Sequence, residues 1–259
     1  MKNKKNYFLT SNKQSIHFTF LKAKSKVGVL FLHGLMSDIS GKKVKFIKSL
    51  CKKNKLNFLA FDFSGHGKSS GIFERQGIHD WILEAKEITN SILKNKKIII
   101  IGSSCGGWVG AKLIWKLKNI IGFLGISAAP DFTKYLMWNT FSKKAKQIIR
   151  SGKIYKLKSD YDSYYPIGKS LIEGGKKNLI LHLKKNCNFP LRFFHGLEDS
   201  VVPIEYSYKL SKTLYSKDSL ILLQEKGDHS LSSSHDLKRI GKELLEIAKS
   251  KAFSIDGTA

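Results

Sequence analysis

The run "IIIIGSSCGGWVG" (98–110) holds two serines and a cysteine between an apolar stretch of strand length and a cluster of glycines. Within it, Gly102-Ser103-Ser104-Cys105-Gly106 spells G-x-S-x-G. That spacing lets a serine ride a sharp strand-to-helix turn, because glycines two before and two after leave room where side chains would clash. The pattern recurs at Gly67-Lys68-Ser69-Ser70-Gly71, so context must decide between the copies. The first follows "IIII" directly and opens an amphipathic helix, whereas the second lies in a loop with "IFERQG" still to come before a helix. Ser104 is therefore the expected nucleophile and Ser69 a loop residue. The backbone N–H of Cys105 then begins the helix and points at a developing oxyanion. A cysteine nucleophile at 105 would lose the symmetric glycine spacing. "GHGKSS" also ends like a phosphate-binding loop, but Asp62 stands where that motif needs its first glycine, and no helix follows at once.

A serine is a poor nucleophile at neutral pH. It needs a histidine to take its proton and a carboxylate to hold that histidine in the right tautomer. With the order Ser, acid, His, the candidate bases after Ser104 are His182, His195, His229 and His235. His229 sits in "LILLQEKGDHSL", just after the last expected strand, while His235 falls at the start of the closing helix and reads as a surface residue. His195 ends a strand and reads as structural. Asp199, in "FFHGLEDSVVP", is the expected acid, with Asp131 after "ISAAP" as its rival. Adjacent Glu198 points away in an extended loop, and Asp228 lies too close to His229 in sequence to orient it. A second oxyanion donor must come from a loop after an early strand; "VLFLHGLMSD" supplies it, with His33-Gly34 making the turn and the Leu35 N–H facing the reacting carbonyl.

These side chains need a scaffold. Apolar runs at 16–20, 27–32, 58–63, 98–101, 120–129, 191–194 and 220–223 read as strands, the first two as a hairpin pair. Segments 42–54, 78–94, 106–118, 204–215 and 236–250 place apolar residues at helical spacing. The alternation predicts an α/β fold, a mostly parallel twisted sheet with helices on both faces. Residues 131–186 interrupt it with a helix of their own over 132–149 and a hairpin within 153–168. They are expected to form a cap inserted into a core of residues 1–130 and 187–259. Tyr135, Leu136, Met137, Trp138 and Phe141 of that helix either line an acyl channel or seat the cap on the sheet.

The net charge of +26 invites a nucleic-acid reading, yet only four arginines occur and the lysines are spread over every expected helix without interleaved aromatics. No nucleic-acid partner is expected. No stretch has the length of a bilayer span, and "MKNKKNYFLTSNKQ" lacks the apolar region of a secretory signal. Three widely spaced cysteines (Cys51, Cys105, Cys187) fit neither a disulfide framework nor a zinc site, so a reducing, cytoplasmic setting is expected.

"FLHGLMSDISGKK", "FDFSGHGKSSG", "IGSSCGGW", "FFHGLEDSVVP" and "GDHSL" resemble, in order and spacing, the α/β-hydrolase superfamily over nearly the whole chain. Within it, the "GSS-x-GGW" and "G-x-SSG" details resemble the serine acyl thioesterase group of palmitoyl-protein thioesterases and acyl-glucuronide esterases. The resemblance implies an α/β-hydrolase fold and a triad of Ser104, Asp199 and His229. It also implies hydrolysis of esters or thioesters, on a small-molecule or acylated-protein substrate, with no cofactor or metal. Cys105 and His33 depart from that pattern. The alternatives are a peptidase or amidase of the same fold and an inactive binding protein.

Overall fold

The computed structural model describes residues 6–158 and 164–256, with side chains to residue 250. The chain opens with β1 (Tyr7–Leu9), β2 (Ser15–Leu21), β3 (Val27–Leu32), α1 (Lys42–Lys53), β4 (Asn57–Phe61), α2 (Ile78–Ile92), β5 (Lys97–Ser103), α3 (Cys105–Leu113) and β6 (Ile120–Ile126). A segment between β6 and β10 follows: a π-helical turn (Thr133–Trp138), α4 (Lys143–Arg150), β7 (Tyr155–Lys158), β8 (Tyr164–Ile167), α5 (Lys169–Lys176) and the short β9 (Lys185–Asn186). The chain then resumes with β10 (Leu191–Gly196), α6 (Glu205–Thr213), β11 (Leu214–Tyr215), β12 (Ser219–Gln224) and α7 (Ser234–Asp256).

The main sheet has the order β1-β2-β4-β3-β5-β6-β10-β12. Strands β4 through β12 in that order run parallel, and β1 and β2 are antiparallel to their neighbours. Alternation along each strand divides the core in two, since successive side chains leave opposite faces. Leu30, Leu32, Ile98 and Ile100 join α2 and α3 residues such as Trp81 and Trp108 on one face. Val29, Phe31, Ile99 and Ile101 join Val44 and Ile47 of α1 and Ile240 and Leu244 of α7 on the other. Parallel strands covered on both faces must be apolar throughout, which is why β3 is buried at every position.

Three departures from expectation stand out. β2 and β3 are not a hairpin, because β4 lies between them. Asn57 at the head of β4 enforces this: its amide donates to the carbonyls of Ser25 (2.8 Å) and Val27 (2.9 Å) and accepts from Ala23 N–H (2.9 Å), pinning the connection across its own strand. Secondly, the helix expected over 132–149 is broken. Thr140 Oγ1 donates to the Met137 carbonyl (2.9 Å), and Ser142 restarts the helix as an N-cap, its hydroxyl accepting from Ala145 N–H (3.2 Å). Thirdly, β6 ends at Ile126, because Ser127 takes a φ of +43°. The two strands of the expected hairpin at 153–168 pair antiparallel, and its turn lies outside the described residues.

Glu84 of α2 is buried at 0% exposure, its Oε2 accepting the Ser64 N–H (3.0 Å) and its Oε1 without a hydrogen-bond partner among the described residues. Burial, opposed by Ser64, pushes its carboxyl up to about 7. A folded-state value above the unfolded 4.5 means that this group's stabilisation is complete below pH 4.5 and is lost as pH rises through 7. Glu84→Gln removes that loss. It is expected to raise stability at pH 8 by up to about 3 kcal/mol and to change it little at pH 5, read from thermal unfolding at the two pH values.

Candidate active site

All the parallel strands end at one edge of the sheet, and the loops leaving them converge there. β5 delivers Ser104 with φ 53° and ψ −121°, a strained geometry between a strand and the first turn of α3. The bend is held from outside: Ser104 N–H donates to the Ile126 carbonyl (2.9 Å), and its carbonyl accepts from Ala129 N–H (3.0 Å). Glycine is required on both sides. A Cβ at Gly106 would sit 2.4 Å from the carbonyl oxygens of Leu32 and His33, and one at Gly102 would sit 2.4 Å from the Gly106 carbonyl.

Ser104 Oγ lies 3.0 Å from His229 Nε2, and His229 Nδ1 lies 2.8 and 3.0 Å from the two carboxylate oxygens of Asp199. His229 comes from the loop after β12 and Asp199 from the loop after β10. The Asp199 side chain is 1% exposed, and its Oδ1 also accepts the N–H groups of Val201 (3.0 Å) and Val202 (2.9 Å). Burial alone would push that carboxyl up. Its bond and charge interaction with His229 and the two backbone donors outweigh burial and hold it below the ordinary carboxylate range. An ionised Asp199 facing Nδ1 keeps the proton there and leaves Nε2 free to accept the serine proton.

The rival residues are engaged elsewhere. Asp131 is buried with φ +57°, and its carboxylate accepts the N–H groups of Ile180 (2.9 Å) and Leu181 (3.0 Å), fastening the two ends of the segment between β6 and β10 to each other. Ser69 Oγ donates to the Asp62 carbonyl and accepts His17 N–H, so the second G-x-S-x-G copy tethers β2. Asp62 itself ties three segments, accepting from Ile39 N–H (2.8 Å), Lys68 N–H (3.0 Å) and His17 Nδ1 (2.9 Å). His235 is exposed on the first turn of α7. His195 is buried, donating Nε2–H to the Val202 carbonyl (2.8 Å) and accepting from Ser207 Oγ (2.8 Å). It thus braces the loop that carries Asp199. Burial drives the Cys105 thiol far above its ordinary value, so it stays protonated, with Sγ turned to the His33 carbonyl (3.8 Å).

His33 also has a role its position did not reveal. Its Nε2 accepts Phe63 N–H (3.0 Å) and its Nδ1 donates to the Gly34 carbonyl (2.7 Å), while burial lowers its pKa to about 4. It is a neutral strut locking the turn before Leu35. Gly34 passes close to the serine: a Cβ there would lie 3.3 Å from Ser104 Cβ. Leu35 and Cys105 both line the cavity over Ser104, and neither N–H has a hydrogen-bond partner among the described residues.

That cavity has a volume of about 860 Å³. Phe132, Leu136, Met137, Leu157 and Tyr165 form its wall on the side of the segment between β6 and β10. Of the five side chains singled out in the sequence, only Leu136 and Met137 therefore reach it. Phe141 packs on Tyr155, and Trp138 lies under Lys146 and Arg150. Among the described residues lining it, the charged groups besides histidine are Asp38, Lys42, Lys43 and Lys158. No cluster able to hold a metal ion occurs among the described residues.

A parallel sheet with an elbow serine, a late histidine and an intervening acid defines the α/β-hydrolase class, and solved structures agree. The crystal structure of an Agrobacterium vitis S4 protein superposes with a TM-score of 0.87 at 26% identity, covering 93% of this chain and 96% of that one. Alpha/beta hydrolase domain-containing protein 10 from mouse does so at 0.84 and 24% identity, covering 94% and 98%. The chain belongs to the family described as Serine aminopeptidase, S33, which matches residues 23–163, more than half its length. Among curated relatives, the mitochondrial palmitoyl-protein thioesterase ABHD10 of Rattus norvegicus is 29% identical over 226 residues, covering 86% of this chain and 75% of that protein. Among the described residues, no helix is long and apolar enough to cross a membrane.

Proposed function

We propose that this protein is a serine hydrolase that cleaves carboxylic esters or acyl thioesters through an acyl-enzyme. The observation that carries the reading is the continuous chain Ser104 Oγ, His229, Asp199, opening into a large cavity with an apolar wall. Ser104 Oγ attacks the acyl carbon as His229 Nε2 takes its proton. The N–H groups of Leu35 and Cys105, the latter aided by the positive end of α3, stabilise the tetrahedral oxyanion. His229 then protonates the leaving alkoxide or thiolate, and water activated by the same imidazole releases the acid. Residues 131–186 act as a cap, offering Leu136, Met137 and Leu157 to the acyl chain. The thioesterase named among the relatives supports a thioester substrate.

The family's description favours a second reading, an aminopeptidase. Such an enzyme needs a carboxylate for the substrate's α-ammonium group. Here Asp38 faces the cavity together with Lys42, Lys43 and Lys158, a field that repels a cation. The three cysteines are free and buried, which supports a reducing compartment. The cytoplasm expected from composition is one, and the relatives' names place those proteins in mitochondria.

A chain-length series of p-nitrophenyl esters and acyl-CoAs, assayed beside aminoacyl p-nitroanilides, tests the choice. Acyl substrates are expected to exceed aminoacyl amides by at least about 100-fold in kcat/KM, with an optimum at medium or long chains. A preference for the amides would establish the peptidase instead.

A further inference from the structure

Lys43 belongs to α1, more than 180 residues before the histidine loop, yet its ammonium grips that loop where both line the cavity. Nζ donates to the Ser230 carbonyl oxygen and, at 3.1 Å, to Ser232 Oγ. Other ties of the loop hold the residues around the base. Gly227 N–H donates to the Gln224 carbonyl (3.0 Å), Glu198 N–H donates to the Gly227 carbonyl (3.0 Å), and Leu231 N–H donates to Asp228 Oδ1 (2.8 Å). The Ser230 carbonyl, which also accepts from Ser232 Oγ (3.2 Å), lies one peptide plane beyond His229, so the Lys43 contact acts on the backbone that carries the imidazole.

We propose that Lys43 is a positioning residue for the general base, holding the Ser230 carbonyl so that His229 Nε2 stays in line with Ser104 Oγ. The inference rests on the reading of Ser104 and His229 as nucleophile and base. A charge-assisted bond to a carbonyl is stronger than a neutral one, and an error of about 1 Å at the reacting atoms can cost about 100-fold in rate. Lys43 is half-buried, and burial lowers its pKa to about 8 against the opposing pull of Asp228 in the loop and Asp236 on α7. Lys42 on its own helix and Asp38, Lys158, His33 and His229 share the cavity with it. As pH rises through about 8 the ammonium becomes an amine, the grip weakens, and kcat falls.

The test is steady-state kinetics from pH 6 to 10 on the best ester, with near-ultraviolet circular dichroism confirming the fold of each variant. Lys43→Met is expected to lower kcat about 30-fold with KM within about 3-fold of wild type. Lys43→Arg, which keeps its charge far above pH 8, is expected to retain most of kcat and to move the alkaline fall upward. A Lys43→Met enzyme with the wild-type kcat and alkaline limb overturns the proposal, as does a loss confined to KM, which would mean that Lys43 touches substrate instead. If Lys43→Met does not fold, an unmoved alkaline limb in Lys43→Arg overturns it equally. Failure of the underlying reading shows separately, as a wild-type enzyme inert to every acyl substrate.

Discussion

Ser104→Ala is expected to lower kcat/KM for acyl esters by about 10⁵- to 10⁶-fold and to abolish covalent labelling by a fluorophosphonate. The loss is large because the hydroxyl is the atom that forms the proposed acyl-enzyme bond; no nearby group can substitute. Ser103 occupies the last position of β5 and is buried, and the Cys105 thiol is held protonated against the His33 carbonyl. Alanine keeps the Cβ that packs against Gly34, so the elbow and the thermal midpoint should survive. What activity remains comes from oriented N–H donors and binding alone. Labelling or turnover that persists in this variant would remove the assignment of the nucleophile, and a wild-type protein that neither labels nor turns over would place it among binding proteins on a hydrolase fold.

Asp199→Asn is expected to cost about 10³- to 10⁴-fold in kcat while leaving KM near wild type. The direction follows from the carboxylate's partners. Oδ1 accepts the N–H groups of Val201 and Val202, so an asparagine must keep its oxygen there and turn Nδ2 toward the ring. A donor facing Nδ1 forces the imidazole proton onto Nε2, where it blocks acceptance from Ser104. Asp131→Asn separates this effect from the mere loss of a buried charge. That side chain accepts the N–H groups of Ile180 and Leu181 and makes no hydrogen bond to the histidine. Its replacement should lower stability by about 1 to 3 kcal/mol, leaving kcat within about 10-fold. A greater loss of kcat at position 131 than at 199 would reverse the assignment of the acid.

Local chemistry made much of this legible from residue types. The elbow could be read because clash sets its glycine spacing, and the strand before it because a parallel strand covered on both faces must be apolar. Context, a strand directly before and a helix directly after, distinguished Ser104 from Ser69, whose hydroxyl bridges Asp62 and His17. The pairing of β2 with β4 was not legible. Two strands adjacent in sequence read as a hairpin until a third inserts between them, and the amide of Asn57 that holds the crossing carries no periodic signal.

By itself, then, the sequence determined the layered α/β scaffold and the order of chemistry-bearing residues along it, since periodicity and steric spacing are properties of neighbouring residues. Tertiary structure alone decided which acid meets the histidine, because Asp131 and Asp199 both follow strands and only packing sends one to residues 180–181 and the other to His229. It alone also brought Lys43 to Ser230, gave Glu84 its raised pKa and made His33 a neutral strut. Burial and long-range contact set those properties, and neither is a function of the adjacent sequence.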